Sequence, residues 1–182
     1  MGDGHYFIDD PGLIIDKPVK IVGDEHEPAH VVVELSGEIR WKASGWMEGI
    51  TVRRSKMATG APSKSDILRI LPNGHLDMFR CVLDNTGSVG NCISVSSNAS
   101  GQWERTLISG CSRDHSGLVV ENNARVELTE CHFAENDGID ITRKDGADVK
   151  LVDCVVESSR SPLAEGEVVA ASAVEPALIP SH

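Results

Sequence analysis

One short pattern occurs four times between Leu76 and Val156, and it constrains the fold more than any other feature of the chain. Each copy begins with two residues that are separated by one other residue. A cysteine follows after two more residues, and the copy ends two residues after the cysteine. The copies are Leu76-x-Met78-x-x-Cys81-x-Leu83, Thr106-x-Ile108-x-x-Cys111-x-Arg113, Val126-x-Leu128-x-x-Cys131-x-Phe133 and Val149-x-Leu151-x-x-Cys154-x-Val156. The cysteines lie 30, 20 and 23 residues apart. A repeat of this length is typical of a solenoid, in which each unit packs on the next.

Each copy of the pattern predicts β-structure and not helix. Its apolar residues alternate with a period of two, and the alternation is interrupted by a bend such as Ser109-Gly110 or Thr129-Glu130. After the first three copies, turns that contain glycine lead into a second short strand. These strands are Ile93–Val95, Leu118–Val120 and Ile139–Ile141. One repeat is therefore a coil of strand, bend, strand, turn and strand.

A single coil of this kind cannot bury its apolar side chains, so parallel coils must stack. We therefore predict an all-β fold, a single-stranded right-handed parallel β-helix of about six coils, with the handedness taken from the preference of parallel crossovers. Residues 1–160 form this domain. The pattern ends near Ser161-Pro162, and residues 161–182 are interpreted as a tail that is disordered or caps the last coil.

The aligned cysteines are interpreted as a column of small buried thiols inside the coils. Cys81, Cys111, Cys131 and Cys154 would stack along the axis, whereas zinc ligands converge on one point in a tetrahedral arrangement. The chain also contains no Cys-x-x-Cys pair. These four cysteines are therefore predicted to be structural, and no metal site is predicted at them.

Composition disfavours several classes of function. A formal net charge of −11 argues against a nucleic-acid-binding surface. No apolar run reaches the length of about 18 residues that a membrane-spanning helix needs. The first residues lack the basic and apolar segments of a signal peptide. Together with five cysteines, an odd number, these features predict free thiols and an intracellular, reducing compartment.

The N-terminal segment resembles a known fold family. Leu13–Ile15 and Val19–Ile21 read as short strands on either side of a proline-containing turn. With the turn Gly4-His5-Tyr6 and the phrase from Ile15 to Asp24, they resemble the opening coil of proteins of the pectin-lyase-like superfamily, including its bacterial periplasmic members. They are also similar to the β-helix substrate-receptor domains of some F-box proteins. The resemblance extends through the later repeats and implies a right-handed parallel β-helix.

The segment between this coil and the repeats follows the same plan. Met47-x-x-Ile50-x-Val52 fits the second half of the repeat, with Ile50 in the cysteine position. Residues 54–66 are rich in glycine, proline and serine, and they predict an insertion. Ser96 to Glu104 predict a second, shorter excursion. Loops that leave a β-helix on one side are places where ligands can bind.

Two resemblances suggest catalysis at Asp137 and Asp140. The segment Asn136–Asp140 resembles part of the Asn-Thr-Asp-Gly motif of β-helix polygalacturonases, whose carboxylates act as acid and base. The rest of that family's pattern is missing, since the chain has no Gly-His-Gly and Arg143-Lys144 lacks a spacer. Asn-Asp-Gly is also the composition of a tight turn, so the turn interpretation stands beside the catalytic one.

The second resemblance is to β-helix pectate lyases, and it implies a calcium site with a basic residue nearby. Calcium takes six to eight oxygen ligands, and Asp114, Asp137 and Asp140 lie on adjacent predicted coils. Arg113 or Arg143 would act as the base, which must reach the proton it removes. Solvated acidic side chains in turns are the alternative.

A basic cluster and three tryptophans are candidates for binding. Arg53, Arg54 and Lys56, with Lys64 and Arg69 nearby, could dock an acidic partner or a polyuronide, or could be solvated loop residues. Trp41, Trp46 and Trp103 could stack on sugar rings or pack inside the coils.

The sequence favours a non-catalytic binding or scaffold module for a protein or glycan partner over an enzyme, because no complete catalytic set is recognised. The alternative is a small polysaccharide lyase, hydrolase or epimerase that acts on uronate polymers. A second alternative is a structural subunit of a larger assembly. Fold by itself does not decide among these functions.

Overall fold

The computed structural model describes residues 4–9, 12–24, 26–55 and 64–157. These residues form three parallel β-sheets. Sheet 1 contains β1 (Gly4–Ile8), β4 (Val31–Leu35), β7 (Thr51–Arg54), β10 (Val82–Asp84), β13 (Leu107–Ser109), β16 (His132–Ala134) and β19 (Val155–Val156). Sheet 2 contains β2 (Gly12–Ile15), β5 (Glu38–Trp41), β8 (Leu68–Ile70), β11 (Ile93–Val95), β14 (Ser116–Val120) and β17 (Ile139–Arg143). Sheet 3 contains β3 (Val19–Val22), β6 (Ser44–Glu48), β9 (His75–Phe79), β12 (Ser100–Glu104), β15 (Arg125–Thr129) and β18 (Asp148–Val152).

The chain winds through sheets 1, 2 and 3 in turn. Every strand pairs in parallel with the strand three places before or after it, as β6 does with β9 and β15 does with β18. Sheets 2 and 3 have six strands each, and sheet 1 has seven. The predicted all-β parallel β-helix of about six coils is therefore confirmed, while its handedness stays a prediction.

The bend from sheet 3 to sheet 1 is made by one residue in the left-handed backbone region. Its φ angle is 61° at Gly49, 49° at Arg80, 50° at Arg105, 51° at Glu130 and 52° at Asp153. Non-glycine residues adopt this conformation at a cost of roughly 1 kcal/mol or more. Contacts between stacked coils must therefore hold the bend, and its recurrence at one position keeps the coils in register.

The turn from sheet 2 to sheet 3 recurs in the same way. Asn73, Asn98, Asn123 and Gly146 have positive φ, and asparagine and glycine are the residues that tolerate it. Each turn is closed by a backbone hydrogen bond, such as that from the Ala99 N–H to the Ser96 carbonyl at 3.0 Å.

The predicted excursion at Ser96–Glu104 is wrong, because this segment is the turn followed by β12. Gly101 stands at an inward position where the neighbouring strands β9 and β15 have Leu76 and Val126, and this hides the alternation. A Cβ atom at Gly101 would lie 2.5 Å from both the Leu76 carbonyl and Trp103 Nε1. Glycine is therefore needed there because Trp103 fills the space.

The interior consists of columns of apolar side chains from equivalent positions of consecutive coils. Sheet 3 contributes Met47, Met78, Trp103 and Leu128, sheet 1 contributes Val52, Leu83, Ile108 and Phe133, and sheet 2 contributes Ile39, Leu68, Ile93 and Leu118. None of these side chains is more than 3% exposed. Full burial of each stabilises the fold by roughly 1.5–3 kcal/mol.

The predicted column of thiols is present, but Cys111 does not belong to it. The strand register aligns Ile50, Cys81, Thr106, Cys131 and Cys154, each one residue before a strand of sheet 1. The second copy of the repeat is therefore Gly101-x-Trp103-x-x-Thr106-x-Ile108, and the alignment predicted for Cys111 is wrong. Cys111 is buried between β13 and β14, where its Sγ lies 3.6 Å from the His115 carbonyl oxygen.

Four residues of this column each make the same kind of side-chain hydrogen bond. The thiol of Cys81 donates to the carbonyl of Phe79 at 3.5 Å, two residues earlier in the bend. Thr106, Cys131 and Cys154 donate to the carbonyl two residues earlier in the same way, at 3.2, 3.5 and 3.4 Å. A small side chain with a donor hydrogen suits this position, which explains why threonine can replace cysteine.

Residues 158–182 lie outside the described part of the chain, so the domain boundary at 160 and the interpretation of the tail stay predictions. Within the described residues, the helical structure is the 3₁₀ turn Pro28–His30. No helix in that part of the chain has the length and hydropathy to cross a membrane.

The thiols are predicted to differ in reactivity, because the thiolate is the reactive form. Burial raises the pKa of Cys81 to about 11 and raises that of Cys92 further. The neighbouring Cys131 side chain lowers the pKa of Cys154, which is also the one half-buried thiol among the five. Iodoacetamide is therefore expected to modify Cys154 before the other cysteines, as followed by mass spectrometry. Equal labelling of Cys92 and Cys154 in the folded protein would contradict this order.

Candidate functional site

Arg54, in the predicted basic cluster, is not an exposed side chain. Arg54 is 5% exposed, and its guanidinium lies inside the corner between sheets 1 and 2. Its Nε donates to Asn85 Oδ1 at 3.0 Å, Nη1 donates to the carbonyls of Ser36 and Gly37, and Nη2 donates to those of Ser65 and Asp66 at 2.5 and 2.6 Å. Burial lowers the pKa of the Arg54 guanidinium, and the Asp66 carboxylate opposes this. The side chain therefore fastens β7 to the residues before β5 and β8.

Arg53 and Arg69, which were predicted beside Arg54, are each paired with a carboxylate. The Arg53 guanidinium lies 2.5 Å from a carboxylate oxygen of Glu34 on the neighbouring strand. The guanidinium of Arg69, which is on sheet 2, lies 3.0 Å from the carboxylate of Asp66, which precedes β8. Lys56 lies outside the described residues, so its predicted binding role is a prediction still.

The catalytic candidates are divided between the interior and the surface. Asp140 is 2% exposed and accepts a hydrogen bond from Asn136 Nδ2 at 2.7 Å. Asp137 and Arg143 are exposed, in the turn before β17 and at its end. Asn136 Oδ1 also accepts from the Cys111 N–H at 3.1 Å, so this segment fastens two coils. These contacts favour the turn interpretation, and catalytic roles for Asp137, Asp140 and Arg143 stay predictions.

A cluster of metal-binding side chains was the second possibility raised by the sequence. Among those residues, no group of three or more His, Cys, Asp or Glu side chains is arranged to hold a metal ion. The calcium site suggested for Asp114, Asp137 and Asp140 therefore stays a prediction.

The outer face of sheet 3 carries a groove that sequence reasoning missed. Two adjoining concavities of about 340 and 360 Å³ share Gln102 and Glu127. We call them together the sheet 3 groove, and its outward-facing side chains are Trp46, His75, Asp77, Phe79, Ser100, Gln102, Glu104, Arg125, Glu127, Thr129, Asp148 and Lys150. They alternate along each strand with the inward residues of the core, which is why one face of these strands is polar.

A central row of side chains runs along the groove, one from each of the five strands β6, β9, β12, β15 and β18. Trp46 pairs with Asp77 on the next strand. Gln102 pairs with Glu127, and Glu127 in turn pairs with Lys150. Successive strands lie about 4.8 Å apart, so the row presents one functional side chain at each such interval. Lys150 Nζ lies 2.6 Å from Glu127 Oε1.

Trp46 supplies the flat apolar surface at one end of this row. Its Nε1 donates to Glu48 Oε2 at 2.9 Å, and Lys20 Nζ lies 5.5 Å from its ring centroid. Trp41 and Trp103 are at most 1% exposed, so they are core residues. The phase of alternation in β6, with Met47 pointing inward, is the sequence signal that could have separated Trp46 from the other two.

The groove is more acidic than basic. Asp77, Glu104, Glu127 and Asp148 line it, against two permanently charged cations, Arg125 and Lys150. Where β9 and β12 begin, the side chains of His75, Asp77 and Ser100 are joined by a hydrogen bond and an ion pair.

Comparisons with known proteins give no family for this chain. No protein-family model, no curated protein and no solved structure matches it. The functional interpretation therefore rests on the geometry of the groove.

Arg54 is predicted to matter for stability through its buried hydrogen bonds. Replacement by alanine leaves several carbonyl oxygens unpaired, and it is expected to lower the free energy of unfolding by about 3 kcal/mol in a urea titration. The matched control is Arg53→Ala, which removes a surface ion pair and is expected to cost about 1 kcal/mol or less. Equal small losses for the two variants would show that Arg54 has no structural role.

Proposed function

We propose that this β-helix is a binding module that holds an extended neutral glycan along the sheet 3 groove. The observation that carries the proposal is the central row, in which Trp46 is followed by hydrogen-bonding side chains at the repeat of the coils. An aromatic face stacks on the apolar face of a sugar ring. The Asp77 carboxylate accepts hydrogen bonds from the hydroxyl groups of the sugar. The Gln102 amide can both accept hydrogen bonds from them and donate hydrogen bonds to them.

The spacing of the row suits a polymer. Strands recur about every 4.8 Å, which is close to the length of one hexose unit in an extended chain. Consecutive sugars could therefore meet equivalent strands, and a rigid parallel sheet presents these contacts already ordered. Preorganised contacts reduce the entropy lost on binding.

The charge of the groove favours a neutral ligand over a uronate polymer. Four carboxylates face two cations there, and like charges across a binding surface oppose association. Arg54, one of the three residues predicted to dock an acidic partner, is also buried. A uronate polymer, and with it the lyase, hydrolase or epimerase alternative, has less support than a neutral glycan.

The pectin-lyase-like resemblance of the opening coil agrees with a glycan ligand, and it is part of the proposal. A protein partner and a role as a structural subunit are the other outcomes that the experiment separates.

Replacing Trp46 tests the proposal directly. The purified chain is applied to an array of neutral and acidic polysaccharides, and the strongest ligand is titrated by calorimetry. Trp46→Ala is expected to weaken binding about tenfold or more, because it removes the stacking surface. Acrylamide quenching of tryptophan fluorescence should fall when the glycan binds, since Trp46 is the tryptophan that is not buried.

Phe7→Ala is the matched control, because Phe7 is 52% exposed and lies on sheet 1, away from the groove. It should bind as the unchanged chain does. Equal affinity of Trp46→Ala and the unchanged chain, a preference for uronates, or a silent array would each overturn the proposal.

A further inference from the structure

Three side chains at one end of the sheet 3 groove form a continuous chain of polar contacts. Ser100 Oγ lies 2.8 Å from His75 Nδ1, and His75 Nε2 lies 3.0 Å from Asp77 Oδ1. His75 and Asp77 stand on β9, and Ser100 begins β12 on the next coil. Ser100 follows His75 by 25 residues, which is the length of this coil, so the register of β9 and β12 brings them together.

The carboxylate determines which ring nitrogen of a neutral His75 carries the hydrogen. An ionised carboxylate only accepts hydrogen bonds, so the nitrogen that faces Asp77 must be the donor. Nε2 therefore carries the hydrogen, and the Nδ1 lone pair faces the Ser100 hydroxyl. This is the arrangement of a nucleophile, a base and a group that orients the base.

The three side chains are positioned by the sheet itself. Asp77 Oδ1 also accepts a hydrogen bond from the Gln102 N–H at 3.0 Å, which fixes the carboxylate. The Ser100 N–H donates to the Gly74 carbonyl at 3.0 Å, which fixes the start of β12. Groups held by a rigid scaffold need little reorganisation for reaction.

A concavity with room for a substrate adjoins the site, and the cationic side chain of Arg125 lines it. His75, Ser100 and Arg125 line the concavity of about 360 Å³. Arg125 pairs with Ser100 on the adjacent strand, and the backbones of adjacent strands lie about 4.8 Å apart. A guanidinium in this place can stabilise negative charge that develops on a carbonyl oxygen.

We propose that Ser100, His75 and Asp77 form a hydrolytic site for acyl esters, with O-acylated sugars as the substrate class. The choice of a sugar ester rests on the proposed glycan function, because the site lies in the same groove. The hydrolytic chemistry itself depends only on the three residues and Arg125.

In the first half of the reaction, Ser100 Oγ attacks the ester carbonyl carbon and His75 Nδ1 takes the hydroxyl proton. The bond between the carbonyl carbon and the alcohol oxygen then breaks, and the alcohol leaves with that proton. In the second half, water attacks the acylated Ser100 and gives a proton to Nδ1. The bond between Oγ and the acyl carbon breaks, a carboxylic acid is released, and Ser100 regains its proton.

The test uses a fluorophosphonate probe, which labels activated serines, and p-nitrophenyl acetate as a small ester. The full chain is expected to be labelled at Ser100, as located by mass spectrometry. Ser100→Ala should abolish labelling, and His75→Gln and Asp77→Asn should each lower the labelling rate and the hydrolysis rate at least about tenfold. Circular dichroism and thermal unfolding confirm that each variant is folded.

Ser44→Ala is the matched control, because Ser44 is exposed and pairs with His75 from the other side. It should leave labelling and hydrolysis unchanged. Absence of labelling, labelling at Ser44, or hydrolysis that persists in Ser100→Ala would overturn the inference. The small ester does not depend on binding of the glycan. A silent polysaccharide array together with labelled Ser100 would therefore contradict the glycan proposal alone. Glycan binding without labelling of Ser100 would contradict the hydrolytic site alone.

Discussion

Register between coils is the constraint on which the rest of this structure depends. Backbone hydrogen bonds pair each strand with its equivalent in the next coil, and a shift of one residue would exchange the buried and exposed faces. The left-handed bend residues and the turns at Asn73, Asn98 and Asn123 recur at fixed positions. They set the phase of every strand, so they determine both the core columns and the outward row of the sheet 3 groove.

The fold could be predicted because periodicity is written in the chain itself. Alternating apolar residues and turn residues identify the strands of all three sheets, and these are local signals. The alignment of Cys111 failed for a physical reason. Gly101 beside Trp103 removed the apolar signal at β12, and Thr106 performed the hydrogen bond that cysteine performs elsewhere in the column.

The site could not be predicted to the same degree, because it depends on contacts between residues about one coil apart. Arg54 reads as a loop cation in sequence, yet it is buried among carbonyl oxygens contributed by the preceding coil and by a later segment of its own coil. Ser100 and His75 meet only because β12 stacks on β9 in a particular register. Trp46 could have been separated from Trp41 and Trp103 by the phase of alternation, which composition alone does not show.

Ligand binding is proposed for the outer face of sheet 3, and a crystal structure with a bound oligosaccharide tests that proposal most directly. We expect sugar rings that cross β6, β9, β12 and β15, with one ring stacked on Trp46 and hydroxyl groups against Asp77 and Gln102. An oligosaccharide bound elsewhere, such as beside sheet 1 or at an end of the coils, would contradict this proposal.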